Sequence, residues 1–250
     1  MPLLEILPQL IINGLIAGAI YALAASGFAL VYYVIKFQYF SHGAIMTIAA
    51  YAFFWLFTKI GSNYILSAIL TIAIAVVATQ LTNWLVYRPL RKRKSTPVVL
   101  LISSVMLLIF SSSLIQAMFG SSTKTIIFYN KTLDFKVFTV TALQILIIAL
   151  SIVLFVLLWL VLKKTRLGKA MRALADNKEV AQVVGIHQEK LFTYTFAISA
   201  VIGAVSGILI GLEQNLYPRM GVLIIIKGFI SSVVGGLGSV HGAIIGGLFI

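Results

Sequence analysis

Side chains able to act on a substrate are few and scattered. His42, His187 and His241 lie too far apart for an HExxH zinc site, and the chain has no Cys to supply a thiolate ligand or nucleophile. No GxxxxGK[ST] loop is present to cradle a nucleotide's phosphates, and no GxSxG elbow to raise a serine. The expectation is a chain without metal, cofactor or catalysis of its own.

The carboxylates narrow the class further. Glu5, Asp134, Asp176, Glu179 and Glu189 fall outside the apolar runs and Glu213 at the end of one. Ion-coupled carriers usually bury carboxylates near the membrane midplane as proton relays. None is offered here, which leaves sodium held by backbone carbonyls as the coupling chemistry still open. Lys227, in VLIIIKGFISS, is the one charge inside an apolar run. Its amine must snorkel to the interface or face protein, water or a partner, because burial in lipid costs about 2.5–3.5 kcal/mol.

These groups need elements to hold them, and the composition says which. Of 250 residues, 61% are hydrophobic and 10% charged, against roughly 25% charged in soluble domains. Apolar runs near 9–35, 40–58, 64–87, 97–119, 139–162, 191–212 and 221–234, then a glycine-rich stretch from 235 onward, predict about eight membrane-spanning helices in one all-α domain over 1–250. The last is expected to be incomplete at Ile250. No period-2 segments suggest a barrel. The net charge of +13 would suggest nucleic acid in a soluble protein, but 13 of the 19 bases fall in loops on one side of the predicted membrane. The positive-inside tendency makes that side cytoplasmic and the N-terminus external.

Glycines four apart mark helix faces that pack closely in lipid: Gly14 and Gly18; Gly203, Gly207 and Gly211; Gly242 and Gly246, with Gly238 one step earlier. The run GGLGSVHGAIIGG suggests a broken or re-entrant helix. An outer loop, 120–138, reads as irregular or hairpin-like. The inner loop, 163–190, is richer. KKTRLGKAMRALA can continue or restart a helix with Leu167, Ala170, Met171 and Leu174 on one face. In DNKEVAQVVGI, Asp176 is placed as N-cap, Glu179 as its capping-box partner and Gly185 as the C′ residue, around a two-turn helix showing Val180, Val183 and Val184. Such a helix must bury that side, against anionic lipid or in a partner's groove.

From about Ile12 to the end, the chain resembles the LivH-like permease subunits of bacterial branched-chain amino-acid ABC transporters. The likeness is carried by ING at 12–14 with YAL at 21–23, FSHG at 40–43 with Tyr51, KGF at 227–229, GGLGSVHGAIIGG at 235–247 and the coupling-type loop RALADNKEVAQVVGI at 172–186. The resemblance implies an inner-membrane protein that works with a second permease subunit, two cytoplasmic ATPases carrying ATP and Mg, and an external solute-binding protein. It favours the groove reading, with Asp176, Asn177, Glu179, Val180, Ala181, Val184 and Gly185 as the ATPase-coupling helix. It sets Asn13, Tyr21, His42, Gly43, Lys227, Gly235, Gly236 and Gly238 along the translocation path. Tyr39, Ala44 and His241 depart from the usual family residues, so urea or short-chain amides stay open as solutes, as does a channel or carrier without an ATPase.

Overall fold

The computed structural model describes residues 2–61, 63–126, 132–134 and 139–250. It is a helical bundle: α1 (Pro2–Ile35), α2 (Ser41–Ile60), α3 (Tyr64–Thr82) running through a π turn (Asn83–Tyr87) into α4 (Arg88–Lys92), then α5 (Pro97–Phe119). A two-stranded ribbon, β1 (Thr132–Asp134) with β2 (Thr139–Thr141), leads to α6 (Ala142–Lys164), α7 (Arg166–Asp176), α8 (Lys178–Val183), α9 (Gln188–Glu213), α10 (Met220–Val234) and α11 (Val240–Phe249). Loop chemistry sets the helix ends. Gly61 and Gly120, at φ of 67° and 81°, stop α2 and α5, Pro97 opens α5 behind an extended Thr96, and Thr141 with Gln144 forms a capping box at α6.

Among the described residues, six helices are long and apolar enough to span a membrane, Tyr64–Lys92 counting as one. Of the other two apolar segments, α10 matches the run expected at 221–234, and α11 follows it. With 15 residues, α10 reaches only roughly 22 Å at 1.5 Å per residue, against a core of about 30 Å; α11 (Val240–Phe249) runs back beside it. They form an antiparallel helical hairpin: Gly235 meets the backbone of Gly242, and Gly246 meets that of Ser231. The expected break therefore falls at a turn at Gly236, where φ is +97°. Of the outer loop, 127–131 and 135–138 lie outside the described residues, and the rest contains the Thr132↔Thr141 ribbon and a bridge from Lys124 to Leu216.

The core is layered. Helices α1, α2 and α9 lie inside, packed on each other and on the hairpin, while α3, α5 and α6 lie outside. Inner contacts run through glycines. A β-carbon on Gly207 would collide with the Met46 carbonyl, on Gly43 with that of Gly221, and on Gly18 it would press on Leu248. Outer helices instead bury a narrow row of small and hydroxyl residues at every fourth position. In α3 these are Ser67, Thr71, Ala75 and Thr79, and in α5 Ser104 and Ser112 alternate with Leu100 and Leu108. Thr79 and Ser112 satisfy their hydroxyls inside their own helix, on Ala75 O (2.8 Å) and Leu108 O (2.9 Å), while Thr71 Oγ1 has no partner among the described residues. Three helices meet at Ser41: its N–H donates to Ser104 Oγ (2.8 Å), and its hydroxyl bonds Ser104 O (2.9 Å) and Tyr87 Oη (2.6 Å).

Candidate functional site

One face of α1 carries Gln9, Asn13, Ala17 and Tyr21, each four residues from the last and so stacked along the helix. Gln9 Nε2 donates to Asn13 Oδ1 (3.1 Å) and to Thr139 O (3.1 Å), and its Oε1 accepts from Thr139 N (2.8 Å). Further along, Asn13 and Ala17 border a cavity of about 260 Å³ with Gln144, Glu213 and Gln214. Gln144 Nε2 donates to Glu213 Oε1 at 3.1 Å. Gln214 also lines a neighbouring cavity of about 100 Å³ with Tyr21, Tyr217 and Lys227. The stripe ends where Lys227 Nζ donates to Tyr21 Oη (2.6 Å) and sits 4.3 Å from that ring's centroid. Lys227 is exposed on the outer surface of the chain, so the phenol steadies the ammonium without covering it. A carboxylate and an ammonium thus stand on either side of Gln214, among neutral amides.

Three of the path residues expected from the sequence, Asn13, Tyr21 and Lys227, belong to this stripe. The others lie elsewhere. His42 is buried in a slot between Gly27 and Gly203, where a β-carbon on either would strike the imidazole; its Nδ1 meets Ser199 Oγ at 3.1 Å, and its Nε2 has no partner among the described residues. Gly43 and Gly235 are helix contacts, Gly236 makes the hairpin turn, and Gly238 opens onto a different cavity. Among the expected packing glycines, Gly211 touches Leu216 and Ala50, whereas Gly14 is exposed with nothing within 4 Å of a β-carbon. Gln9, Gln144 and Gln214 were not anticipated. The spacing of Gln9 from Asn13 was available as a signal, but Gln144 and Gln214 join only through tertiary packing.

The inner loop is two helices. Thr165 caps α7 by accepting from Gly168 N (3.0 Å), and the α7 face at Met171 and Leu174 is buried. The expected cap shifts by one residue. Asp176 ends α7, and Asn177 caps α8, its Oδ1 accepting from Glu179 N (2.9 Å) and Val180 N (3.1 Å). Asn is as good an N-cap as Asp, and α7 extends through Asp176 before the chain becomes extended. Gly185 closes α8 at φ +85° in a Schellman motif: its N–H bonds Gln182 O and that of Ile186 bonds Ala181 O, both at 3.0 Å. Ala181 faces inward, while Val180, Val183 and Val184 are 58%, 87% and 67% exposed.

This loop is tied to the bundle at two points. Lys178 Nζ donates to the last carbonyl of α1, Ile35 O, at 3.3 Å. Burial, together with nearby Lys36 and Arg91, pulls the Lys178 amine below its ordinary value. At the start of α9, Glu189 takes a forked pair from Arg91, 3.1 Å at Nε and 2.9 Å at Nη2, and Arg91 also reaches Asn83 Oδ1 (2.9 Å) and lies over the Phe192 ring. It is the one ion pair among the described residues, and its partners are 98 positions apart. No cluster of metal-ligating side chains occurs among the described residues.

A bundle with membrane-length helices, its polar side chains gathered along an outward stripe and its loop helices clamped beneath, belongs to the class of multi-pass membrane permeases. Residues 10–250 match the family described as branched-chain amino acid transport system / permease component, and the chain belongs to that family. It is 30% identical to the high-affinity branched-chain amino acid transport system permease protein BraD of Pseudomonas aeruginosa, over 97% of this chain and 83% of the relative. Similarity is 29% to LivH of Escherichia coli K12, over 97% and 83% of the two chains. For the probable LivH of Methanocaldococcus jannaschii it is 30%, over 97% and 78%. No solved structure matches.

Proposed function

We propose that this chain is the permease subunit of an ATP-driven importer of branched-chain amino acids in a bacterial inner membrane, with its N-terminus outside. The observation that carries the reading is Lys227, an exposed cation on a membrane helix at the end of a polar stripe. Contact with lipid would cost about 2.5–3.5 kcal/mol, so water or a second permease subunit, identical or paralogous, covers this face. A zwitterionic amino acid passing between the subunits would meet Glu213 with its ammonium and Lys227 with its carboxylate. Family membership supports the solute class.

The stroke enters through the loop. Three valines exposed on a six-residue helix and its C-cap need a groove, since so short a helix is too weak to stand alone in water. In this reading the groove belongs to one of two cytoplasmic ATPases, which carry ATP and Mg²⁺; the chain itself holds no cofactor. Motion of α8 passes through Lys178 to the end of α1, the helix that bears the stripe. An external solute-binding protein delivers the amino acid.

The test is reconstitution with the ATPases and binding protein. The double variant Val180→Asp, Val184→Asp should insert normally yet lose transport-coupled ATP hydrolysis by roughly tenfold or more, as expected for losing interface anchors worth over 1.4 kcal/mol. Full coupling in that variant would remove the loop's role. Uptake of leucine by the chain in liposomes without any ATPase would overturn the importer reading.

A further inference from the structure

A second sizeable cavity lies away from the polar stripe. It measures about 640 Å³, within the range of small-ligand sites. Its walls come from the ends of four elements: Tyr33 of α1, Trp159 and Lys163 of α6, Arg172 of α7, and the hairpin turn with Ser239 and His241. No Asp or Glu lines it. Since the only ion pair among the described residues is Arg91–Glu189, Lys163 and Arg172 reach the cavity without a carboxylate.

Each wall contributes a group suited to a phosphate. Arg172 Nη1 is held by the Leu162 carbonyl, which fixes the guanidinium and leaves its remaining donors free for a planar, two-point grip. Helix α11 starts at the cavity: Ser239 caps it by accepting from Gly242 N (3.1 Å), so the first amides, Val240 and His241, have no carbonyl partner in their own helix. Lys163 Nζ stands 5.2 Å over the Trp159 ring.

Depth distinguishes a lipid from a free anion. Helix α6 is a membrane-length span ending at Lys164, so Lys163 is in its last turn and Trp159 one turn deeper. Trp and Tyr concentrate at the headgroup level of a bilayer, and basic pockets between spans at that level suit anionic headgroups. We infer that this cavity binds the phosphate of an anionic phospholipid, with Lys163, Arg172 and the α11 N-terminus around the headgroup and Trp159 beside the upper acyl chain. A lipid seated there bridges α7, in the inner loop, to the hairpin turn.

Trp159 supplies the probe. In a Trp55→Phe, Trp84→Phe background it is the sole tryptophan of three, and the full chain in mixed micelles can be titrated with phosphatidylglycerol or phosphatidylcholine brominated on the acyl chains. Phosphatidylglycerol should quench at a mole fraction at least about fivefold lower, and Lys163→Gln should shift its midpoint up by about fivefold, the effect of one basic residue at an anionic surface. Arg172→Gln should shift it as far or further; because that residue also braces α6, the exposed Lys163 carries the test. Excess inorganic phosphate should leave quenching unchanged. Displacement by inorganic phosphate would make the ligand a free anion and overturn the lipid assignment; equal quenching by both lipids, insensitive to Lys163→Gln, would overturn the site.

Discussion

The inner helices α1, α2 and α9 and the outer helices α3, α5 and α6 invert the rule of soluble proteins. In the inner set 78%, 56% and 72% of the apolar window is buried, in the outer set 22%, 28% and 22%. Yet the most apolar helix of the six is α6, on the outside, and the least apolar is α2, on the inside. Lipid is as apolar as leucine, so burial brings no hydrophobic gain; close backbone approach and hydrogen bonds decide which face turns inward. Inner faces accordingly carry glycine, with His42 and Ser199 between them, and outer helices turn their serines and threonines inward while presenting Ile, Leu and Phe to the membrane.

Substitutions can break this contrast in graded fashion. Gly207→Leu should be the most damaging, since a side chain there meets the Met46 backbone, which cannot yield as a rotamer would. A cost above about 3 kcal/mol should appear as loss of the monodisperse peak in size-exclusion chromatography of the detergent-solubilised protein. Glu189→Gln strikes the one ionic tie between the layers. It leaves Arg91 charged and 9% exposed; because Glu189 itself is 38% exposed, the cost should be about 1–3 kcal/mol, below the 3–5 of a fully buried pair, read as a lowered melting temperature. Ser112→Ala should do least. Its hydroxyl bonds only its own helix, and a change under about 1 kcal/mol is expected. A large loss there would mean that the outer stripe is held by hydrogen bonds between helices, not by small size.

Much of this was legible in the residues. Apolar run lengths located the membrane helices, glycine spacing marked contacts such as Gly18 and Gly207 but missed Gly27 and Gly221, and the turn chemistry of 176–186 foretold a short capped helix, one residue off at its start. The rows of small and hydroxyl residues at 67, 71, 75, 79 and at 104, 112 were open to inspection but unremarked, because hydropathy averages them away among leucines. Other features are not local at all. The Arg91–Glu189 fork, the Lys178 contact with α1 and the slot that swallows His42 are set by helices meeting across the bundle.

The π turn at Asn83–Tyr87 controls helical phase. In a regular α-helix, positions four apart precess by about 40° per step, so a row running from Ser67 through Thr79 would wind away from the bundle before reaching Arg91. A π turn, closing i to i+5, holds one surplus residue and takes up that drift, and Asn83, Tyr87 and Arg91 arrive at Ser41 and Glu189. Phase in this segment therefore depends on how the surplus residue is accommodated. Removing one residue between 83 and 87 would turn the segment into a regular α-helix with Arg91 still in phase, whereas regularising the turn at full length would swing Arg91 about 100° from its partner.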